Sequence, residues 1–407
     1  MEKYINKKSY VTLFSSAGIG DFGFHEAGFN LVASNELIER RMNVQRSNAV
    51  SPDPQAYITG DIQLEETKNA IYRQIDKWLR ENEQEGLDLM VATPPCQGIS
   101  LANHYKKDSD LVRNSLVLQS ILVAEKTQPK VIVFENIKRF LTTACTDVNG
   151  ETYEINDVIH HHLAEDYNIY GTEINFKDYG ANSSRPRTLV IALRKDIFGD
   201  VDPKILMPDK TDVRNLRQVI GDLEPLTTMG QISEKDILHE FKPYRSDMQA
   251  WIHDLKQGES AFDNADPLKR PHRIIDGKIV QNANKNGDKY KRQSWEKVAP
   301  AVHTRNDILA SQNTVHPEDD RVFSIRELMR MMNVPDSFKW TPDEYTELNK
   351  LPLEEKIAWL KKNEINIRQS LGEAVPTSIF EQIGRKASEL IDDVSANGSF
   401  SGEQQNK

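Results

Sequence analysis

The sequence predicts an α/β fold, a doubly wound and mainly parallel sheet joined to a smaller domain of low regularity. Three observations carry that reading. Apolar runs of strand length recur through the first half, stretches with helical spacing separate them, and both patterns fade near residue 200. In order, Tyr10–Ser15 and Leu31–Glu36 read as strands, separated by a glycine-punctuated turn and a short helix. Residues 63–83 place Leu64, Ile71, Ile75, Trp78 and Leu79 at helical spacing. Leu87–Ala92 is the next strand, followed by a Pro- and Gly-bearing loop and a helix near 115–126. Val131–Glu135 and Thr188–Leu193 complete the series. Their unbroken apolar character is that of strands covered on both faces.

These shifts divide the chain into a core over 1–199, an irregular domain over 200–298, a return to the core over 299–390, and a polar tail over 391–407 expected to be disordered. Helical spacing reappears at 324–334 and after 366. The 407 residues carry 52 Lys+Arg against 62 Asp+Glu, for a net charge of -10, and 38% are hydrophobic. That composition excludes a wholly disordered chain. No apolar run approaches the roughly 20 residues of a membrane helix, and the N-terminal stretch lacks the pattern of a secretion leader. Two cysteines, Cys96 and Cys145, build no disulfide framework, which fits a reducing cytoplasm. His160, His161 and His162 are adjacent on an expected helix and share no face, so they read as surface and no metal is expected.

Four segments carry chemistry. Phe14-Ser15-Ser16-Ala17-Gly18-Ile19-Gly20 lies between a strand and a helix, where small residues let a nucleotide-like ligand approach the backbone amides. Such turns are also common as plain connections. Glu36 ends the next strand at a distance suited to ribose hydroxyls, and Asp61 ends a possible third strand, placed to meet an adenine amino group. Pro94-Pro95-Cys96-Gln97-Gly98 follows the Leu87–Ala92 strand directly; prolines at a strand end present the thiol to the crevice, where a thiolate is a nucleophile. Glu135-Asn136 ends the next strand and suits an acid, and Arg185-Pro186-Arg187 offers two guanidinium forks for phosphate or a base edge.

These signals, in this order and at strand ends, resemble the DNA (cytosine-5) methyltransferases of bacterial restriction–modification systems. Arg113-Asn114-Ser115-Leu116 is similar to the family's segment after its catalytic loop. Arg326-Glu327 through Pro335-Asp336-Ser337-Phe338 resembles its penultimate motif, and Gln369 through Pro376 its last. The resemblance covers about 10–200 and 298–390. It implies the S-adenosylmethionine-dependent methyltransferase fold, with S-adenosylmethionine held by Phe14 on the adenine, Glu36 on the ribose, Asp61 on the amino group, and Ser16, Ala17, Gly18, Ile19, Ile62, Pro95, Leu116 and Val375 around them. It implies Cys96 as nucleophile, Glu135 at cytosine N3, Arg187 on the base and Arg185 on a nearby phosphate, with the base flipped out of the duplex. Asn136 is expected to steady the Pro95-Cys96 turn.

The same resemblance places a target-recognition domain over 200–298. Between 267 and 305 ten cations face only Asp276, Asp288 and Glu296, with Tyr290 and Trp295 among them. That mixture suits phosphate and base-edge contacts. Gln97, Ser100, Lys289, Lys291, Arg292 and Arg305 are the expected substrate contacts. The expected partners are double-stranded DNA and a cognate restriction endonuclease, and the expected protein is a cytoplasmic monomer. Transfer to tRNA and a catalytically silent DNA-binding relative are the alternatives. Three positions depart from the family pattern: Ser16 for the first cofactor-loop glycine, Ser183 for a glutamine and Glu373 for an asparagine. A positive φ at 16 would strain a serine.

Overall fold

The structure is a computed structural model that describes residues 8–95, 115–282 and 286–397. The chain forms two compact units: one of residues up to 179 with 186–210 and 377 onward, the other of 180–185 with 211–376.

The first unit is built on a seven-stranded sheet of order β3-β2-β1-β4-β5-β9-β8. Its strands are β1 (Ser9–Leu13), β2 (Asn30–Glu36), β3 (Tyr57–Thr59), β4 (Leu89–Ala92), β5 (Val131–Ile137), β8 (Tyr167–Asn175) and β9 (Pro186–Arg194). A small hairpin of β6 (Ala144–Thr146) and β7 (Thr152–Glu154) stands apart from it. The first five strands in the order are mutually parallel, whereas β9 pairs antiparallel with both β5 and β8. β1 and β4 are buried at every position, as strands covered on both faces must be.

Helices Glu65–Asn82, Leu116–Thr127 and Ile155–Leu163 supply Ile71, Ile75, Trp78, Val117, Ile121, Val158 and Ile159 to the cluster that includes Val11, Met90, Ile132 and Phe134. At the amino end of the sheet, buried Asp88 accepts from the Ser9 amide at 2.8 Å and pairs with Lys130 at 2.7 Å. Buried Cys145 belongs to this cluster, and burial pushes its thiol up to about 12. His161 and His162 each reach the buried Asp147 carboxylate, at 3.2 and 2.8 Å.

The last helix, Thr377–Asn397, packs on the short helix Phe22–Glu26, with Phe24 and Phe380 stacked at 4.9 Å. Gly23 is needed there, because a Cβ would collide with the Thr377 carbonyl. This helix runs past residue 391, where the polar tail was expected to begin. Leu390 and Ile391 continue its buried stripe, and that apolar pair holds the extra turns.

The second unit is poor in regular structure. Its elements include the helices Leu216–Ile220, Ile325–Met331 and Leu353–Glu373 and a lone hairpin, β10 (His272–Ile275) with β11 (Lys278–Gln281). Ser324 and Glu327 close a capping box on Ile325–Met331. Buried arginines do much of the binding. Arg321 forks onto Glu327 at 2.7 and 2.8 Å, and Arg368 joins Glu364 and Glu240 while donating to the Phe323 carbonyl at 2.9 Å.

Candidate active site

Five parallel strands end on one edge of the sheet, and the residues with chemical character lie at those ends. The order reverses direction beside β1, the position at which open α/β sheets take ligands.

After β1 the backbone turns through Phe14, Ser16 and Gly18, with φ of 58°, 47° and 75°. Ser16 therefore sits in the left-handed region, at a cost on the order of 1–3 kcal/mol. Its surroundings over-determine the conformation. The Ser16 amide donates to the Glu36 carboxylate at 2.9 Å, and Gln45 Nε2 donates to the Ser16 carbonyl at 2.7 Å. Gly18 admits no side chain, since a Cβ would stand 2.8 Å from Gln45 Cγ. Ala17 and Ile19 are buried under the turn, and Thr377 Oγ1 donates to the Ile19 carbonyl at 2.9 Å.

Glu36 is buried at the end of β2, where it also accepts from the Ile38 amide at 2.9 Å and pairs with Arg41 at 3.4 Å. Just past β3, half-buried Asp61 accepts from the Gln63 amide at 2.9 Å, and Ile62 is buried beside it in sequence. Three adjacent strand ends thus offer a small-residue turn and two carboxylates. Two acceptors beside a small-residue turn fit a nucleoside whose ribose hydroxyls and exocyclic amine donate.

At the end of β4, Thr93 ties the strand to the turn: its amide donates to the Leu13 carbonyl at 3.2 Å and its hydroxyl to the Phe14 carbonyl at 3.0 Å. Pro95 is half-buried, and Leu116, also half-buried, opens the helix Leu116–Thr127. Cys96, Gln97 and Ser100 lie outside the described residues. The Asn136 amide group, at the end of β5, donates to the Pro94 carbonyl at 2.9 Å, two residues before Cys96. Beside it in the chain, Glu135 is buried and pairs with Arg187 Nε at 3.1 Å. The antiparallel register produces this pair. Leu189 lies opposite Glu135 and Arg187 opposite Ile137, so acid and guanidinium are diagonal neighbours on one face.

The division between the units falls between Arg185 and Pro186. Arg185 is buried in the second unit and donates to the Val302 and Gly372 carbonyls at 3.1 and 3.0 Å. Its guanidinium is therefore engaged with main chain, where a phosphate contact had been expected. Val375 is buried in the same unit, Ser183 is buried against Met332, and Glu373 is exposed at the end of its helix.

Of the expected DNA contacts, Lys289 and Lys291 are half-buried, the latter 3.3 Å from Asp288, and exposed Arg305 is 3.0 Å from Asp307. Arg292 differs from the expectation. It is only 3% exposed, and it donates to the Ile252, His316 and Asp319 carbonyls and pairs with Asp320. Its charge is neutralised inside the unit, which removes it from the basic surface.

Sequence reasoning missed Gln45 and Thr93, which brace the turn. Thr93 had a signal, its place directly before Pro94-Pro95. Gln45 had none, since a glutamine among Arg and Asn on the helix Glu39–Asn48 reads as solvated.

The fold is that of the S-adenosylmethionine-dependent methyltransferases. A solved E. coli structure, described as a candidate DNA modification methyltransferase encoded within a prophage, superposes with a TM-score of 0.62 at 16% identity over 95% of this chain and 99% of that one. The C-5 cytosine-specific DNA methylase family matches residues 9–389, and the chain belongs to that family; it is a DNA cytosine-5-methyltransferase. Type II methyltransferase M1.HgaI of Avibacterium volantium is 27% identical over 92% of this chain and 97% of its own length. Type II methyltransferase M1.HphI of Haemophilus parahaemolyticus is 26% identical over 82% and 80%. No described helix is long and apolar enough to cross a membrane.

Proposed function

We propose that this protein methylates C5 of a flipped-out cytosine in a short double-stranded DNA site, through a covalent bond between Cys96 and C6, as the protective half of a restriction–modification system. The supporting observation is the Asn136 bond to the Pro94 carbonyl, which joins the strand end leading into Cys96 to the strand end carrying Glu135.

Cytosine C5 is a weak carbon nucleophile. Attack of the Cys96 thiolate forms a C6–S bond and moves the ring electrons toward C5. Glu135, hydrogen-bonded or donating at N3, offsets the charge that develops in the ring. Arg187 orients Glu135 through their ion pair and meets the base edge. S-adenosylmethionine supplies the electrophilic methyl group. Loss of the C5 proton to solvent then returns an electron pair to the C5–C6 bond, expels the Cys96 thiolate and restores N3 and Glu135 to their starting states. Phe14, Ser16, Ala17, Gly18, Ile19, Glu36, Asp61, Ile62, Pro95, Leu116 and Val375 hold the cofactor in this reading. Gln97, Ser100, Lys289, Lys291 and Arg305 hold the DNA, and the recognition domain lies within 200–298. The proposed setting is a cytoplasmic monomer, with a cognate endonuclease acting on the same site; two relatives are named type II methyltransferases.

The test incubates the protein with radiolabelled S-adenosylmethionine and either duplex genomic DNA or tRNA, followed by nucleoside analysis. Label in 5-methylcytosine from DNA, abolished in Cys96→Ser with cofactor binding retained, is the expected result. Label in tRNA alone moves the substrate to RNA, and activity persisting in Cys96→Ser removes the covalent step.

A further inference from the structure

The hairpin β10–β11 is the one described two-stranded element of the second unit, and it presents apolar side chains to solvent. Ile274, Ile275, Ile279 and Val280 are 70%, 50%, 46% and 44% exposed. Four adjacent aliphatics on an isolated ribbon contribute little to a core and create an adhesive surface. The ribbon is nonetheless well specified. Asp276 and Gly277 turn it with φ of 49° and 73°, the signature of a type I′ turn whose twist matches the two strands. Its base is anchored: His272 lies 5.2 Å from the Trp251 ring, and Gln281 donates to the Pro267 carbonyl at 2.8 Å.

Register sorts the side chains onto two faces. His272 pairs with Gln281 and Ile274 with Ile279, so one face joins the anchor to an aliphatic tip. The other face pairs Arg273 with Val280 and Ile275 with Lys278, which sets two cations at opposite corners and two aliphatics at the remaining ones. Among the described residues, neither Arg273 nor Lys278 takes part in a salt bridge, whereas Lys269 is paired with Asp254. Two charges outside any ion pair among the described residues therefore sit on the ribbon.

We propose that this hairpin is a groove-reading element for duplex DNA, with the Arg273–Ile275–Lys278–Val280 face toward the base edges. The inference rests on the DNA reading above and names the surface that selects the site. The geometry matches: a two-stranded ribbon about 5 Å between strands and roughly 13 Å long enters a major groove about 12 Å wide and covers about four base pairs. The chemistry matches as well. Guanidinium and ammonium groups serve guanine edges or phosphates, and aliphatics serve thymine methyl groups. Lys289 and Lys291 alone would add affinity without apolar selectivity.

The experiment uses the full-length protein and two surface variants, Arg273→Ala/Lys278→Ala and Ile275→Ser/Val280→Ser. Duplex binding is measured as a function of salt, and methylated positions in a plasmid are mapped by bisulfite sequencing. The charge variant is expected to flatten the slope of log Kd against log salt by about 2. The aliphatic variant is expected to lose roughly 5- to 150-fold in discrimination at one or two positions of the site, with cofactor binding retained. Unchanged slope and unchanged sites in both variants overturn the proposal. So does a shift from dimer to monomer in the variants with DNA binding unaltered, which makes the patch a contact between copies. A wild type that binds duplex but transfers nothing overturns the proposed reaction and leaves the slope as the test of the hairpin. A wild type that binds no duplex overturns both.

Discussion

In the sheet unit, strand ladders satisfy many of the backbone's polar groups; in the loop unit, buried arginine side chains share that task with scattered backbone bonds. Strands β1, β2, β4 and β5 bury their amides and carbonyls in ladders, so their side chains are free to be apolar. The second unit has few ladders, and Arg185, Arg292, Arg321 and Arg368 donate instead to the carbonyls of Val302, Gly372, Ile252, His316, Asp319, Val322 and Phe323. A guanidinium carries five donors in a fixed fork, so one side chain can serve several orphaned carbonyls. The lesson is that an irregular domain needs buried charge for the reason a regular one avoids it: every buried backbone group requires a partner.

The largest test of that contrast is Arg368→Met. Removing this guanidinium leaves the Phe323 carbonyl without its donor and leaves Glu240 with only the Ile325 amide and Glu364 with only Lys242 among the described residues, and is expected to cost about 3–5 kcal/mol in urea unfolding. Native-state hydrogen exchange should show the loss in 211–376 while β1, β4 and β5 stay protected. Equal loss of protection in the sheet would break the contrast.

One buried group in each unit, Asp21 and His316, is expected to titrate in the opposite sense to the other. In the sheet unit, burial raises Asp21 to about 7, and its Oδ2 has no hydrogen-bond partner among the described residues. The folded state keeps a proton that the unfolded chain releases near 4, so stability falls as pH rises from about 4 to 7 and the penalty is complete above that. Asp21→Asn removes the penalty and is expected to stabilise by up to about 4 kcal/mol at pH 8, with little effect at pH 3.5. A flat difference across that range would mean that the carboxyl is ionised without cost.

In the loop unit, burial lowers His316 to about 4, among Glu327, Arg321, Asp319 and Arg292. Its Nδ1 accepts from the Glu318 and Asp319 amides at 3.3 and 2.9 Å, which suits a neutral ring. Here the unfolded state takes up the proton first, so stability falls as pH drops from 6.5 to 4, by about 3 kcal/mol. His316→Gln should remove that slope in unfolding curves taken over the same window, and a slope that survives assigns it to other groups.

The sheet was legible because its central strands are continuous apolar runs. β8 was not, since the half-exposed edge sequence YNIYGTEIN alternates with polar residues and lacks such a run. The helix Leu353–Glu373 showed only its last turns, because LEEKIAWLKKNE reads as solvated charge. Asp276-Gly277 announced a hairpin by turn chemistry, yet the basic composition around it drew the reading toward a charged surface. At the site, Glu36, Asp61, Glu135 and Asn136 were legible because a polar residue closing an apolar run must stand at a strand end. Arg292 was not, since a charge in sequence carries no mark of burial. The Ser16 strain was legible only as a condition, because φ is a property of the turn and not of the residue.

The helix Thr377–Asn397 closes a unit whose first strand begins at Ser9, and Lys8 meets Asp392 across nearly the whole chain. A ribosome adding roughly 5–20 residues per second takes tens of seconds to travel from the glycine turn to that helix. During that interval the face of Phe24 that stacks on Phe380 has no cover. A nascent or truncated chain lacking that helix therefore cannot complete the sheet unit, which makes synthesis through the helix Thr377–Asn397 a precondition for folding it.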